Sequence, residues 1–286
     1  MPTALVTGTS TGIGQATAIS LARKGYMVHA AMRNLDAAGP LSEAAAAEGL
    51  RIKPVAMDVD DDVSVTRCVA GVLDQDGRID VLVNNAGIGG QGPVELTPLA
   101  TYRQVMETNF FGALRCTQAV IPAMRRQGSG FIANISSVAG RVALSPHSPY
   151  AASKFAVEAL SECLAQEMSG FGVRVVIVEP GVIATPIFGK IEPSRPDPGY
   201  PQERRLMALF GAVAPDASPP FEVGDLIAEL AVNGNERFRY RVGVASTELI
   251  GWRESLSDTD WVALGGATDA EYAASMKSAL GVDLSL

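Results

Sequence analysis

The chain has 286 residues, of which 47% are apolar and 19% charged, a composition typical of a globular protein. A large core is therefore available, and one domain is the default for an α/β chain of this length. The formal net charge is −8 and the pI is about 4.9. Because no long cluster of lysine and arginine offsets this charge, binding to nucleic acid or to an anionic membrane is disfavoured.

Cysteine and histidine usage indicates the compartment and argues against a metal. Cys68, Cys116 and Cys163 are odd in number and widely spaced in apolar helical patterns, which predicts reduced core thiols in a cytosolic protein. His29 and His147 are too few for a histidine-rich metal site, so we expect no metal. The chain enters its first apolar run without an export segment, and no run approaches the ~18 residues that span a bilayer. We therefore expect a soluble, cytoplasmic protein.

Short runs rich in valine and isoleucine alternate with segments of helical periodicity. The predicted strands are residues 3–8, 27–32, 52–57, 79–85, 130–136 and 173–180. The helical segments include residues 13–24, 61–75, 99–126 and 150–168. This alternation predicts right-handed crossovers and a mostly parallel sheet with helices on both faces, which is a doubly wound α/β fold. We expect residues 1–286 to form a single domain.

The character of the chain changes at Pro186, because eight of the 17 prolines lie between positions 186 and 220. Helices do not run through such proline density, so we interpret 186–220 as an irregular substrate lid that contains a short apolar helix at 206–213. Beyond it we expect a helix at 222–232 and a last strand at 239–244. A polar tail follows, which we expect Trp252 and Trp261 to anchor.

A glycine-rich turn follows the first predicted strand. The sequence TGTSTGIG at 7–14 leads directly into a helix. Glycines let the backbone approach a ligand, and the free N–H groups and dipole of a helix start favour a pyrophosphate. The G-x-x-x-G-x-G spacing departs from the G-x-G-x-x-G dinucleotide fingerprint, and a simple tight turn is the alternative.

Two unusual residues share one face of the helix that contains SPYAASKFAVEAL. Tyr150 and Lys154 lie four positions apart, which places a phenol beside an ammonium group. On spacing alone, the simpler explanation is a half-buried aromatic residue next to a solvated charge. The other motifs of the chain favour a catalytic pair.

These motifs together resemble the short-chain dehydrogenase/reductase family. They occur in the expected order and spacing, and the likeness covers residues 1–185 well and the remainder loosely. The motifs are TGTSTGIG, Asn84-Asn85-Ala86-Gly87, Asn109, Ser136-Ser137, Tyr150-Ala-Ala-Ser-Lys154 and Pro180-Gly181. The resemblance implies a Rossmann-type fold and hydride transfer between a nicotinamide and a carbonyl or secondary alcohol.

The resemblance also assigns catalytic roles. Tyr150 would be the general acid and base, Lys154 would support it and hold the ribose, and Ser137, rather than Ser136, would bind the substrate oxygen. Lowering a phenol pKa from ~10 by ~3 units requires ~4 kcal/mol, and a cation at 4 to 5 Å contributes about that much at an effective dielectric of ~20. Asn109 would relay protons through water toward Lys154, and helix packing is its alternative. His147 is interpreted as a neutral histidine and Ser153 as a bystander.

The cofactor assignment also comes from the resemblance. Met32 ends the second strand where NAD enzymes carry an acidic residue, and Arg33 follows immediately. We expect Arg33 to bind a 2′-phosphate and to favour NADP over NAD. A solvated Arg33, diverted by Asp36, is the alternative. For Asp58 the alternative to a cofactor contact is a loop or helix-capping acid, and for Thr185 it is a loop hydroxyl. The resemblance places the cofactor on Gly8, Ser10, Thr11, Gly12, Ile13, Gly14, Arg33, Asp58, Val59, Asn85, Ala86, Gly87, Tyr150, Lys154, Pro180, Gly181 and Thr185.

The expected pocket is apolar and suggests a hydrophobic ketone or alcohol as substrate. Its predicted lining consists of Val138, Val142, Leu144, Val182, Ile183 and the lid. A catalytically silent dinucleotide-binding regulatory protein is the alternative from a different class, and an epimerase or dehydratase is a weaker one. We expect a homo-oligomer, either a dimer or a tetramer.

Overall fold

The structure is a computed structural model that describes residues 1–187, 197, 199–234 and 236–286. Seven parallel strands form one sheet in the order β3-β2-β1-β4-β5-β6-β7, which confirms the doubly wound fold. The strands are β1 (Thr3–Thr7), β2 (Met27–Met32), β3 (Ile52–Ala56), β4 (Val81–Asn84), β5 (Gly130–Ile135), β6 (Val173–Pro180) and β7 (Arg239–Val242).

Helices cover both faces of the sheet. They are α1 (Gly12–Arg23), α2 (Gly39–Glu48), α3 (Asp62–Asp76), α4 (Leu99–Met106), α5 (Gly112–Gln127), α6 (Ser148–Met168), α7 (Pro201–Val213), α8 (Pro220–Asn233), α9 (Ser246–Ser255), α10 (Asp258–Ala263) and α11 (Asp269–Leu280). Along β1, Ala4 and Val6 belong to the core under α1, α2 and α8, whereas Leu5 belongs to the core under α3, α5 and α6. This alternation explains why the strands are apolar on both sides.

The strand order reverses direction at the centre of the sheet. β1 pairs with β2 on one side and with β4 on the other, with Ala4 opposite both Val28 and Val81. Helix α1 after β1 and helix α5 after β4 therefore lie on opposite faces of the sheet. Their separation opens a crevice at the carboxyl ends of the strands, where α/β sheets bind ligands.

The C-terminal region corrects two expectations. The helix expected at 206–213 begins earlier, at Pro201, because proline is tolerated in a first helical turn. The region expected as a polar tail is folded into α9, α10 and α11, which bury Ile250 and Met276. Trp252 and Trp261 do meet, edge to face, with ring centroids 5.5 Å apart. The predicted lid includes residues 188–196 and 198, which lie outside the described residues.

The cysteine expectation holds only in part. Cys116 is buried and Cys68 half-buried, but Cys163 is exposed on α6, so it is not a core thiol. Burial raises the pKa of the Cys68 thiol to about 11 and that of Cys116 to about 12, so both are protonated at neutral pH. Within the described ranges, no helix combines the length and the apolar character needed to cross a membrane.

Candidate active site

Asn109 lies in a π-helical turn, Glu107–Phe111, between α4 and α5. The sequence predicted one continuous helix over 99–126, and the structure inserts the wider turn at this position. The Asn109 side chain is buried and held on both sides: its Oδ1 accepts from the Ile88 N–H at 2.8 Å, and its Nδ2 donates to the Ile88 carbonyl at 3.0 Å. The same amide donates to Ser153 Oγ at 2.9 Å. Ser153, interpreted as a bystander, therefore contacts Asn109.

Tyr150, Lys154 and Ser137 come together at the carboxyl end of β5. Lys154, only 4% exposed, donates from Nζ to the Ile135 carbonyl at 2.8 Å, and this Nζ lies 5.5 Å from the centroid of the Tyr150 ring. Ser137 Oγ accepts from the Ala139 N–H at 3.1 Å, and Ser137 lies close enough to Tyr150 to act on the pKa of its phenol. The helical spacing and the end of a neighbouring strand thus bring the three side chains to one place.

Burial controls the protonation of this group. It raises the pKa of Tyr150 to about 12, with Ser137 opposing the rise, and lowers the pKa of Lys154 to about 8, with the charge of Glu158 opposing the fall. This differs from the expected lowering of the Tyr150 pKa by Lys154. The ammonium group points at the Ile135 carbonyl, and desolvation of the phenolate outweighs its field. Tyr150 is therefore a protonated phenol at neutral pH.

His147 packs directly against the tyrosine. Their rings stack with centroids 4.9 Å apart and 18° between the planes, and the Phe210 ring meets His147 edge-on at 6.1 Å. Burial lowers the pKa of His147 to about 4, which confirms the expectation of a neutral histidine. An imidazole with so low a pKa is a weak base, so Tyr150 remains the candidate for proton transfer.

An apolar cleft of about 1180 Å³, including its open mouth, lies in front of Tyr150. Every pocket residue expected from the sequence lines it, namely Val138, Val142, Leu144, Val182 and Ile183. Sequence reasoning missed the contributions of α9 and α11 and treated those of α7 only as a lid. These residues are Leu206, Leu209, Phe210, Val213, Leu249 and Leu280, together with Ala245 before α9. Apolar residues at helical spacing were the available signal, but it does not say which cavity a helix covers.

A second cleft of about 1170 Å³, including its mouth, opens beside the glycine-rich turn. Most of the expected cofactor residues line it: Gly8, Ser10, Thr11, Gly12, Ile13, Arg33, Asp58, Val59, Asn85, Ala86, Gly87 and Thr185. Pro180, Gly181, Tyr150 and Lys154 line the apolar cleft instead. The sequence analysis missed Asn34, Asp60, Thr108 and Ile88. The two clefts are continuous, since Ile13, Asn85, Gly87, Thr185 and Ile187 line both.

The glycine turn is too tight for side chains. Gly8 has φ +70°, and a Cβ there would lie 2.8 Å from Ala86 Cα. A Cβ at Gly14 would lie 2.3 Å from the Gly8 carbonyl oxygen, which explains why this expected residue supports the turn and does not line the cleft. The first helical turn of α1 receives no side-chain cap from Thr11. Its N–H groups and dipole fit the phosphates of a dinucleotide.

Arg33 stands at the rim of this second cleft. Within the described part of the chain it forms no hydrogen bond or ion pair, and the Asp36 N–H donates to Asn34 Oδ1 at 2.9 Å in a local cap. The alternative in which Asp36 diverts Arg33 is therefore not observed. Burial raises the pKa of nearby Asp60, Arg33 opposes that rise, and Thr108 Oγ1 donates to the Asp60 carboxylate at 2.9 Å.

The chain belongs to the short-chain dehydrogenase family, because the model of that family matches residues 2–196. Retinol dehydrogenase 8 of Bos taurus is 43% identical over 193 residues, which is 66% of this chain and 61% of that protein. 17-beta-hydroxysteroid dehydrogenase type 1 of Mus musculus is 40% identical over 65% of this chain and 56% of its own length. The uncharacterized oxidoreductase YusZ of Bacillus subtilis is 35% identical over 84% of this chain and 88% of its own length.

Solved structures share the fold. A short-chain dehydrogenase from Streptomyces avermitilis superposes with a TM-score of 0.79 and 33% identity over 94% of this chain and 98% of that one. A metagenomic short-chain oxidoreductase in complex with NADP has a TM-score of 0.68 and 28% identity, over 84% and 95%. A Burkholderia phymatum enzyme of this class in complex with NAD has a TM-score of 0.75 and 25% identity, over 84% and 88%. Relatives with this fold therefore bind either nucleotide.

Proposed function

We propose that the chain is an NADP-dependent oxidoreductase that interconverts a carbonyl and a secondary alcohol on a hydrophobic small molecule. The observation that carries this proposal is the position of Tyr150, Ser137 and Lys154 in one apolar cleft that is continuous with the cleft beside the glycine turn. A reacting carbon in the apolar cleft and a nicotinamide entering from the second cleft would meet in front of Tyr150. In this proposal the apolar cleft is the substrate cleft and the second cleft is the nucleotide cleft.

Each polar side chain has one role in this proposal. Tyr150 donates its hydroxyl proton to the carbonyl oxygen as that oxygen gains charge, and Ser137 holds the same oxygen by a hydrogen bond. Lys154 stabilises the phenolate that remains and holds the ribose. The nicotinamide, when bound, supplies the hydride for reduction or accepts it in oxidation.

Asn109 acts in this proposal through the backbone of Ile88. Its amide is already engaged by Ile88 and Ser153, at 2.8 to 3.0 Å. A relay through the amide itself would have to break one of these bonds. We therefore propose that Asn109 fixes the Ile88 carbonyl, whose second lone pair is available to a relay water on the path toward Lys154.

The Tyr150→Phe variant tests the catalytic assignment. It removes the proton donor and leaves the nucleotide cleft intact, so turnover should fall by roughly 10³-fold or more while cofactor affinity changes little. Turnover is followed by nicotinamide absorbance on a panel of hydrophobic ketones, and cofactor affinity by calorimetry.

Two outcomes would count against the proposal. A variant within a few-fold of wild type would remove Tyr150 from the chemistry. A wild type that binds cofactor but turns over no ketone or alcohol would favour the alternative, a catalytically silent dinucleotide-binding regulatory protein. The intact Ser137, Tyr150 and Lys154 favour the enzyme, because a protein that only binds needs no proton donor.

The preference for NADP is supported by Arg33 and by the absence of an acid at the end of β2. Met32 occupies the place where a carboxylate would bond the ribose hydroxyls and repel a 2′-phosphate. A charge-assisted hydrogen bond from Arg33 contributes ~1.5 to 3 kcal/mol, so we propose a roughly 10- to 150-fold preference.

The Arg33→Ala variant tests this assignment. We expect kcat/KM with NADPH to fall by roughly that factor, whereas kcat/KM with NADH changes little, because the alanine removes only a 2′-phosphate contact. Both are measured in wild type and variant with one ketone. A wild type that favours NADH, or a variant with unchanged preference, would contradict the role of Arg33.

The substrate class is supported by the cleft and by the relatives. Apart from the catalytic group, the walls of the cleft are mainly aliphatic and aromatic. Two similar proteins are named for retinol and for 17-beta-hydroxysteroids, which are hydrophobic alcohols. The chain matches only 61% and 56% of the lengths of these two proteins, so the substrate remains a proposal.

Domain organisation, assembly and location complete the proposal. We propose that residues 1–286 act as one domain with a substrate lid at 186–220, and that the protein is a cytoplasmic homo-oligomer. Exposed Leu99, Phe111 and Phe155 support an oligomer, because they lie on α4, the π turn and α6, which pack together. Analytical ultracentrifugation measures the oligomeric state.

A further inference from the structure

A cluster of buried carboxylates and arginines lies behind the catalytic lysine and joins α6 to β6 and β7. Glu158 stands one helical turn after Lys154 and is only 6% exposed, and Glu179 on β6 is fully buried. Arg239 on β7 reaches both carboxylates, with its Nε 2.9 Å from Glu158 Oε2 and 3.4 Å from Glu179 Oε1. Burial raises the pKa of Glu158, and Ser136 and Arg239 oppose that rise. Glu158 lies on the same helix face as Lys154.

Glu158 also borders the segment that carries the catalytic serine. A Cβ added at Gly140 would lie 2.4 Å from Ser136 Oγ and 3.2 Å from Glu158 Oε1, so these two side chains fill the space that the glycine leaves. Ser136 sits between Ser137 and Ile135, whose carbonyl accepts the Lys154 hydrogen bond. The carboxylate thus adjoins the strand end that orients both catalytic groups.

The charges around the pair nearly cancel. Besides Lys154 and Glu158, the cluster contains three arginines and three further glutamates. They come from α6, the turn after β5, β6, β7 and α9. These are Arg141, Arg239, Arg241, Glu162, Glu179 and Glu254. Tyr150 and His147 lie beside this part of α6 and are neutral at pH 7, and Tyr102 Oη forms a hydrogen bond with Ser148 Oγ at the start of the helix. The π turn contacts α6 through uncharged Asn109, which donates a hydrogen bond to Ser153 Oγ.

We propose that Glu158 is a positioning residue that keeps Lys154 protonated at neutral pH, with Arg239 holding its carboxylate in place. The inference rests on the proposed function only for its catalytic consequence, because the protonation of Lys154 is measurable without substrate. A buried ammonium group loses its hydration, and an opposite charge one turn away on the same helix face restores part of that loss.

Protonation of Lys154 is finely balanced. Burial already lowers its pKa to about 8, and the charge of Glu158 opposes this fall. Removing this carboxylate should lower the Lys154 pKa further, by about one to two units at an effective dielectric of ~20, into or below the neutral range. Lys154 would then lose its charge near pH 7 and could not stabilise the Tyr150 phenolate.

The Glu158→Gln variant tests this inference, because glutamine keeps the shape of the side chain and removes its charge. The chain has only five lysines, so the Cε signal of Lys154 can be followed against pH by NMR with labelled lysine and assigned with Lys154→Arg. We expect the Lys154 pKa to fall by about one to two units, and the upper limb of the kcat/KM profile for ketone reduction to move down equally.

Two further variants complete the experiment. Glu162→Gln removes a carboxylate that is 53% exposed and bonded to the same Arg239, so the Lys154 pKa should shift by less than about 0.3 units. Glu158→Asp keeps the negative charge but moves it away from Lys154, so we expect a smaller fall in the Lys154 pKa. This variant tests the inference even if the glutamine variant folds poorly. An unchanged or raised Lys154 pKa in either Glu158 variant would overturn it. A shifted pKa in an enzyme without turnover would overturn only the proposed function.

Discussion

Three polar side chains of the candidate site are each fixed by a backbone group. Lys154 bonds the Ile135 carbonyl, Ser137 accepts from the Ala139 N–H, and Asn109 bonds both backbone groups of Ile88. Backbone anchors do not depend on the presence of a substrate. The donor atoms are therefore held in place before the reaction, which is how a site avoids reorganisation at the transition state.

His147 makes the stability of the protein depend on pH. Its pKa is lowered from 6.5 to about 4 by burial, so the unfolded chain takes up this proton before the folded chain does. The contribution of neutral His147 to the free energy of unfolding is fully present above about pH 6.5, and it is lost as the pH falls toward 4. Between pH 7 and pH 4.5 we expect His147 to contribute about 2 to 3 kcal/mol to the loss of unfolding free energy.

The His147→Phe variant isolates this contribution, because phenylalanine keeps an aromatic ring against Tyr150 and Phe210 but does not titrate. Urea unfolding of wild type and variant at pH 7 and pH 4.5 measures the difference. Between pH 7 and pH 4.5 the variant should lose less unfolding free energy than wild type, by that amount. Equal losses in the two proteins would show that His147 is hydrated or protonated in the folded state.

At the scale of elements, the site depends on two departures from regular structure. The π turn Glu107–Phe111 gives Asn109 its inward position between α4 and α5. The glycine turn brings Gly14 against the Gly8 carbonyl, and Thr7 Oγ1 accepts from the Asn85 and Ala86 N–H groups at 2.9 Å. The loops after β1 and β4 are thereby locked together at the floor of the nucleotide cleft.

Helix α7 covers the substrate cleft and contributes no residue to the lining of the nucleotide cleft. Leu209 is buried and lines the substrate cleft, whereas Met207 on the same helix is 55% exposed. For Leu209→Ala we expect kcat/KM for a hydrophobic ketone to fall roughly 5- to 30-fold, because ~1 to 2 kcal/mol of apolar contact is lost. Cofactor affinity should be unchanged.

Met207→Ala is the matched control and should stay within about two-fold of wild type. Thermal unfolding of both variants separates a loss of folding from a loss of binding. Equal losses of substrate and cofactor affinity in a folded Leu209→Ala protein would contradict the covering role of α7, and with it the lid proposed for 186–220.

At the scale of the whole molecule, the site is assembled from both ends of the chain. The glycine turn follows the first strand, the candidate catalytic side chains come from the turn after β5 and from α6, and the outer wall of the apolar cleft comes from α7, α9 and α11. Tyr272 and Met276 pack in one cluster with Leu209 and Val182. The last helix therefore braces the cleft, and the chain after β7 is part of the substrate site.

The sequence by itself determined the sheet, the glycine turn and the shared helix face of Tyr150 and Lys154. Alternating apolar runs and helical periods are local signals, and the spacing of Tyr150 and Lys154 is fixed by helix geometry, so these features needed no tertiary information. The strand predictions agree with the structure to within a few residues for the same reason. The family resemblance chose Ser137 over Ser136, and in the structure Ser137 acts on the pKa of Tyr150, whereas Ser136 lies beside Glu158.

Only the tertiary structure decided the rest. The high pKa of Tyr150 follows from its burial beneath elements distant in sequence, which no local pattern reports. The same holds for Leu280 in the substrate cleft and for Arg239 beside Glu158, 81 positions away. Periodicity shows that a helix has an apolar face, but long-range packing decides what that face covers and which charges are taken out of water.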